Sequence, residues 1–348
     1  MCRIAGWVDF SRDLSHQEQI MNKMTDALIY GEQGDSRHWF SNHVAFGYEK
    51  PIAIEPENGH HPIVHQINDC IYALLYNGEL YNTEDVRKEL FSLGHTFRDH
   101  SDTEVILNAY IEWGEGCAER FNGIFAFAIW DENKESLFLA RDRIGIKPLF
   151  YSIKNNSFLF ASEIKSLLAH PMITPTVSRD GLSEIFVMGP ARTPGHGIFK
   201  DISEIKPGYC MMVDKNGAHT KRYWSLISKP HNESLESTIE SVRELVYDAI
   251  KRQLVSDVPL GTMLSGGLDS SAITAIATEV YKDPIQTFSV DYTGNDVNFH
   301  KNEFQPDPDA PWAKIVSEYI ATKHHIHYID VEQQELSIHE KYFQVSFP

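Results

Sequence analysis

Four cysteines in 348 residues, Cys2, Cys70, Cys117 and Cys210, are too few and too scattered for a disulfide framework, and none pairs as C-x-x-C to make a zinc knuckle. No apolar run approaches the roughly 18 residues that span a bilayer. Arg3, Asp9 and Asp13 interrupt the start, where a secretory signal needs an unbroken apolar core. Positive charge is also short. Thirty-one Lys and Arg stand against 49 Asp and Glu, a formal charge of −18 spread along the chain. That leaves no basic face for nucleic-acid phosphates. The absences together predict a cytoplasmic protein with free thiols that binds neither membrane nor nucleic acid.

What is present divides in two, as a chain longer than the roughly 250–300 residues of a single core should. IYALLY (71–76) is a β-rich run ending at the turn signal Asn77-Gly78. A helix follows from about Thr83, with Val86, Leu90 and Leu93 on one face and Gly94 as its stop. In SDTEVILNAYIEW, Ser101 and Glu104 have capping-box spacing, which puts Asp102 in a first helical turn. GIFAFAIWD, SLFLAR, PLFYSI and SFLFAS give four short strands in succession. The prediction for residues 1–215 is an α+β domain of antiparallel sheets covered by helices. A polar linker, 216–235, follows. From 236 to 348 the grammar is β-α-β-α-β, a parallel-sheet α/β domain. Its first helix carries the apolar stripe Ile239, Val242, Val246, Ile250 and Leu254.

Two stretches carry chemistry. SGGLDSS (265–271) lies between an apolar strand and a helix. Gly266 and Gly267 free backbone N–H groups to face an anion, while Ser265, Ser270 and Ser271 add hydroxyls and the helix adds its positive end. A Walker lysine is lacking. Asp269 beside phosphates calls for a cation, and Mg²⁺ suits it. The loop therefore predicts ATP cleaved at its α-phosphorus. The second stretch is the start, MCRIAGW: removal of Met1 would give Cys2 a free α-amine, whose pKa near 8 lets it act as its own general base. His60, His61, His65 and HHIHY (324–328) could supply metal ligands, but the alternation of HHIHY suits a strand better.

These motifs resemble known families. SGGLDSS resembles the pyrophosphate loop of N-type ATP pyrophosphatases. Cys2 together with YNGELYN (76–82), SDTEV (101–105), GIFAFAIWD (123–131), ARDRIGIKPLFY (140–151) and ASEIKSL (161–167) resembles class II glutamine amidotransferases. Both in series, with GPARTPG and GIFKDISEIKPG between them, resemble the class B, glutamine-hydrolysing asparagine synthetases. The resemblance implies an N-terminal nucleophile hydrolase-like first domain in which Cys2 attacks glutamine. It implies that Asn77 and Gly78 form the oxyanion hole, Glu79 and Asp102 hold the α-ammonium, and Lys50 stands where the family's arginine holds the carboxylate. In the second domain Leu264 and Val290 would line the adenine pocket, and Ser265, Gly266, Gly267, Asp269, Ser270 and Ser271 would hold the nucleotide with Mg²⁺ on Asp269. Glutamine, aspartate and ATP are the implied substrates, and a homodimer is an admissible assembly.

Four departures from the family stand out. Arg3 replaces a glycine, YGEQGD (30–35) replaces R-G-P-D, and Lys50 loses the bidentate fork of arginine, so weaker glutamine binding is expected. The sequence also stops before the family's second ATP-site stretch, S-G-E-G-A-D-E, so a fragment of a longer protein is expected, one that does not complete asparagine synthesis alone. Two other readings stay open: an ATP-dependent amide-forming ligase with another carboxylate acceptor, β-lactam synthetase-like cyclases included, and a catalytically impaired homologue acting as a binding module.

Overall fold

Alternating apolar positions in the first two hundred residues build sheets with two dry faces. A computed structural model describes residues 3–29, 35–50, 62–67, 70–189, 191–256, 259–281, 284–303 and 305–330. The chain divides into two compact units, Met1–Lys229 and Pro230–Pro348.

The first unit holds two antiparallel six-stranded sheets. The first sheet runs, edge to edge, Ser203–Glu204, Phe150–Lys154, Ser157–Ala161, Arg3–Asp9, Val44–Lys50 and Asp35–Phe40. The second runs Gly217–Arg222, Tyr209–Asp214, Ser136–Arg141, Gly123–Asp131, Cys70–Leu80 and Ile63–Ile67. Because successive side chains alternate across a strand, each sheet has two apolar faces to cover. Ile4, Val8, Phe46 and Phe160 of the first sheet meet Ala73, Leu75, Ala128 and Trp130 of the second in a shared buried layer. On its other face the first sheet packs Ala5, Trp7 and Ala45 against Met21 and Met24 of the helix Glu18–Asp26 and Leu167 of Ile164–Leu168. The second sheet sets Leu74, Tyr76, Phe125 and Phe127 against the helices Thr83–Ser92 and Asp102–Trp113. The result is four layers, helix–sheet–sheet–helix, as the expected α+β class requires. Each fully buried aliphatic or aromatic side chain contributes about 1.5–3 kcal/mol.

Several local expectations change. The strand predicted to end at Asn77-Gly78 runs on from Cys70 to Leu80, because those two residues are paired with Ala126 and Phe125. Val86 and Leu90 are buried, but Leu93 is 51% exposed. The helix stops at Ser92, and Gly94, at φ +98°, turns the chain away. Only half of the capping box forms. The Ser101 hydroxyl accepts the Glu104 N–H at 3.4 Å, whereas the Glu104 carboxylate turns to the Arg98 and Asp99 amides at 2.6 and 3.3 Å.

In the second unit, Gly261–Met263, Gln286–Tyr292 and Lys323–Ile329 form a parallel sheet in that order. The helices Leu268–Tyr281 and Asp309–Ile320 make the crossovers. The helix Leu235–Gln253, capped by the Ser234 hydroxyl, rests on Leu268–Tyr281, where Tyr247 donates to Glu279 at 3.3 Å. Along its stripe Ile239, Val242 and Val246 are 51, 52 and 43% exposed, whereas Ile250 and Leu254 are half-buried. HHIHY lies in the last strand, and both ring nitrogens of His324 are taken by the hydroxyls of Thr287 and Ser289, at 2.9 and 3.1 Å. Among the described residues no group of three or more His, Cys, Asp or Glu is placed to hold a metal; His60 and His61 lie outside them. No helix among them is long and apolar enough to cross a membrane.

One buried group makes the first unit sensitive to acid. His170 lies edge-on to Trp7, ring centroids 4.6 Å apart, and its Nδ1 accepts the Met172 N–H at 3.2 Å. Burial lowers its pKa from 6.5 to about 4. The folded value lies below the unfolded one, so the unfolded chain takes the proton first. The stabilisation is complete above pH 6.5 and is lost as pH falls toward 4, by at most about 3 kcal/mol. A His170→Phe variant should therefore show a flatter dependence of Tm on pH between 7 and 4.5 than the parent; parallel curves would show that His170 does not carry this loss.

Candidate active site

Of the groups expected to do chemistry in the first unit, Gly78 and Asp102 meet at one strand edge. In the strand Gly123–Asp131, the backbone of Phe125 is committed to Asp142: its carbonyl accepts the Asp142 N–H at 2.8 Å, and its N–H reaches the Asp142 carboxylate at 3.3 Å. Hydrogen-bonding direction alternates residue by residue along a strand. Phe125 therefore faces away from its register partner Gly78, and Gly78 faces away from it. The Tyr81 N–H confirms the phase, bonding the Asn122 carbonyl at 2.7 Å. The amides of Gly78 and Leu80 thus point to the opposite edge of Cys70–Leu80. The neighbouring strand there, Ile63–Ile67, pairs no further along than Leu74.

Asp102 occupies that edge. Its Oδ2 accepts the Leu80 N–H at 2.8 Å and the Tyr76 hydroxyl at 3.1 Å, and its Oδ1 accepts the Thr83 hydroxyl at 2.5 Å. Ser101 starts the helix that presents it. Two residues back along the strand, about 7 Å away, the Gly78 N–H faces the same side. A carboxylate has about four lone-pair sites, so its three bonds to described residues leave Asp102 one acceptor site on Oδ1. Tyr76, buried and hydrogen-bonded to this carboxylate, has its pKa raised well above 10, chiefly by burial. Its hydroxyl therefore stays a donor. Tyr81 is likewise raised, to about 12, by burial and then by Glu79.

Gly78 is a glycine because strands come too close for anything else. A Cβ there would lie 2.2 Å from the Ile124 carbonyl oxygen and 2.7 Å from Phe125 Cα. Asn77 is buried, at 4% exposure, and points with Ala73 and Leu75 toward the layer between the sheets. Glu79 shares that side by alternation and is exposed. Lys50 ends a strand whose Val44, Phe46 and Tyr48 line the same layer, so alternation directs it there too. Cys2 lies outside the described residues, as do 30–34 of YGEQGD. Its neighbour Arg3 is described. The Arg3 side chain leaves the opposite face of its strand, where Nη1 meets Glu49 Oε2 at 2.7 Å and Nε meets Glu163 Oε1 at 3.1 Å.

Arg141 and Asp142, adjacent in sequence, have separate partners. Arg141 pairs with Glu204 at 3.0 Å and donates to the carbonyls of Lys147, Ile205 and Gly145. Asp142 gathers the amides of Ile144, Gly145, Ile146 and Lys147 at 2.6–3.1 Å. Arg141 ends the strand Ser136–Arg141 and Asp142 opens the loop after it, where four following amides turn onto its carboxylate. The pairing of Arg3 with Glu49 and the Tyr76–Thr83 grip on Asp102 were not foreseen. Thr83, at a predicted helix start, was the one visible hint.

In the second unit the helix begins at Leu268, so only Leu264–Gly267 is loop, and Asp269, Ser270 and Ser271 fall in the first turn. Leu264, buried, bonds through its N–H to the Phe288 carbonyl at 2.8 Å. Ser265 and Ser270 place their hydroxyls 3.1 Å apart. The Ser271 hydroxyl is closed off from solvent without a hydrogen-bond partner. Gly266 has φ +83°, and a Cβ there would meet Ala313 N and Trp312 Cβ, each at 2.5 Å. The glycine thus admits both a left-handed turn and a neighbouring helix. Asp269 is exposed, and Val290 is 49% exposed on the central strand of the parallel sheet.

Comparison with known proteins agrees with this division. The glutamine amidotransferase domain family model matches residues 1–224, and the asparagine synthase model matches 241–342. The chain belongs to the glutamine amidotransferase family, in its asparagine synthetase branch. It is 51% identical over 329 residues to asparagine synthetase [glutamine-hydrolyzing] 3 of Bacillus subtilis (strain 168), covering 93% of this chain and 54% of that protein. It is 34% identical over 280 residues to asparagine synthetase [glutamine-hydrolyzing] 1 of the same organism, covering 79% and 43%. Amidase chry2 of Gibberella zeae is 32% identical over 277 residues, covering 76% and 43%. The chain spans about half the length of the curated relatives it matches.

The amidotransferase edge makes a stability prediction. Asp102→Ala strands the Leu80 amide and two hydroxyls, which should cost about 1–3 kcal/mol. Gly78→Ala forces the strands apart at a similar cost, about 1–3 kcal/mol. Urea denaturation of the purified chain checks both; values within 0.5 kcal/mol of the parent, on the order of a neutral surface change, would show that the edge is not built as described.

Proposed function

We propose that this chain carries the glutaminase part, and the start of the ligase part, of a glutamine-dependent asparagine synthetase. The reaction converts ATP, aspartate, glutamine and water to asparagine, glutamate, AMP and pyrophosphate. The observation that carries the reading is the Gly78 amide, which faces the edge of Cys70–Leu80 beyond the last described pairing there, beside a carboxylate whose bonds to described residues leave acceptor capacity. An oxyanion hole needs a fixed donor that nothing else has claimed.

In this reading Met1 is removed and Cys2 attacks the glutamine side-chain amide, its α-amine taking the thiol proton and passing it to the leaving ammonia. The Gly78 N–H and Asn77 side chain receive the oxyanion, Glu79 and the remaining acceptor site of Asp102 receive the α-ammonium, and Lys50 receives the carboxylate. Water then releases glutamate. In the second unit Ser265, Gly266, Gly267 and Ser270 hold ATP at the helix start, with Leu264 and Val290 toward adenine; the Ser271 N–H bonds the Gly267 carbonyl at 3.0 Å and its hydroxyl is closed off from solvent, so Ser271 serves the loop and not the nucleotide. One exposed carboxylate, Asp269, fits Mg²⁺, which commonly takes one or two protein carboxylates and completes its shell with water and phosphate oxygens. Mg²⁺ would neutralise pyrophosphate as it leaves. The aspartate β-carboxylate attacks the α-phosphorus, and ammonia displaces AMP from the resulting acyl-adenylate. The cytoplasm is the proposed setting, and a homodimer the proposed assembly.

Ammonia release from glutamine, measured with an intact-mass check on Met1, tests the first half. Cys2→Ala should lose at least about a hundredfold in rate. A retained Met1, or equal release by parent and variant, would overturn the glutaminase and favour the binding module. For the second half, Gly266→Val should abolish binding of ATP–Mg²⁺ by calorimetry; unchanged affinity would remove the loop from the nucleotide site.

A further inference from the structure

The strands Arg3–Asp9 and Val44–Lys50 lie side by side and antiparallel, with Arg3 directly opposite Glu49. The pairing has a consequence for the proposed reaction, on which this inference rests. Arg3 follows the nucleophile Cys2, and Glu49 precedes the carboxylate-binding Lys50. One cross-strand pair therefore stands next to both groups.

The pair is built into the fold. Glu49 is 1% exposed and meets the Arg3 guanidinium at 2.7 Å. Glu163 takes the Arg3 Nε at 3.1 Å, and its other oxygen lies 3.6 Å from Lys165 Nζ. A carboxylate buried to this degree needs its cation. A slip of one residue between the strands would turn Glu49 to the opposite face, away from that cation. Both side chains also lie behind the site: Arg3 shares a face with Ala5 and Trp7, and Glu49 with Ala45, while Lys50 takes the other side. The guanidinium is matched by two carboxylates and is not aimed into the layer between the sheets.

We propose that Arg3 and Glu49, braced by Glu163, are positioning residues. They hold the start of the strand Arg3–Asp9 against the end of the strand Val44–Lys50, and so steady the strand that carries the carboxylate-binding Lys50 against the one that follows the nucleophile in sequence. Arginine in place of the family's glycine is then an added cross-strand tie, not an activator of the thiol.

The test compares Arg3→Gln, Glu49→Gln and the double variant in the full chain. Each single variant should lower kcat/KM for glutamine by about tenfold, with both kcat and KM moved, because alignment is lost. The double variant should be no worse than either single one, as expected of two groups acting through one contact. The pH profile of Cys2 alkylation by iodoacetamide should stay where it is in the parent. Unchanged kcat and KM with a lowered Tm would make the pair merely structural and overturn the proposal. A profile moved by one pH unit or more would make Arg3 an electrostatic activator, which also overturns it. If the parent itself releases no more ammonia than Cys2→Ala, the glutaminase reading fails, and hydrogen exchange judges the tie separately. Amides of 3–9 and 44–50 should exchange about tenfold faster in Arg3→Gln; equal rates would dispose of the tie.

Discussion

The bond from the Leu80 amide to the Asp102 carboxylate is the contact that ties the edge of the second sheet to the helix Asp102–Trp113. A strand that outruns its neighbour exposes a row of unpaired amides, and a buried unpaired amide is costly. Here the helix Asp102–Trp113 supplies an acceptor for one of them, and Tyr76 and Thr83 steady that acceptor. The Gly78 amide, one step back on the same edge, lies beyond the last described pairing of Ile63–Ile67 with this strand.

The second unit reaches a comparable end by another route. Its available amides come from the first turn of the helix Leu268–Tyr281, where an α-helix has no internal acceptors. The left-handed Gly266 turns the loop into that helix and lets Trp312 and Ala313 approach. In both units a glycine stands where two backbones nearly touch, and beside it lie N–H groups that regular structure has released. The carboxylates differ in consequence: Asp102 is held by protein donors, whereas Asp269 stands exposed.

The ARDRIGIKP segment shows how far such arrangements depend on partners distant in sequence. Asp142 draws four consecutive amides of the following loop onto one carboxylate and also takes both backbone groups of Phe125 through its own N–H and side chain. That grip sets the phase of the Gly123–Asp131 strand, and the phase decides which way Gly78 faces. Arg141, next in line, turns to Glu204, 63 positions on, through a 3.0 Å pair.

Residue order by itself determined the element types and their layering. Local alternation and helical spacing report which side of each element is apolar, and apolar sides must be covered. It also named the groups able to do the chemistry, since the type of a side chain does not depend on its neighbours. It misjudged Asn77-Gly78, because the dipeptide favours a turn in isolation and only the strands beside it hold it extended. It showed that the Ile239–Leu254 stripe is apolar without showing its cover, because periodicity reports the face of a helix and not what lies against it. The direction of the Gly78 amide, the partner of Arg3 and the separation of Arg141 from Asp142 were decided by tertiary structure alone. Each turns on which residue of a distant strand stands opposite, and that register is settled by all the sheet's contacts at once.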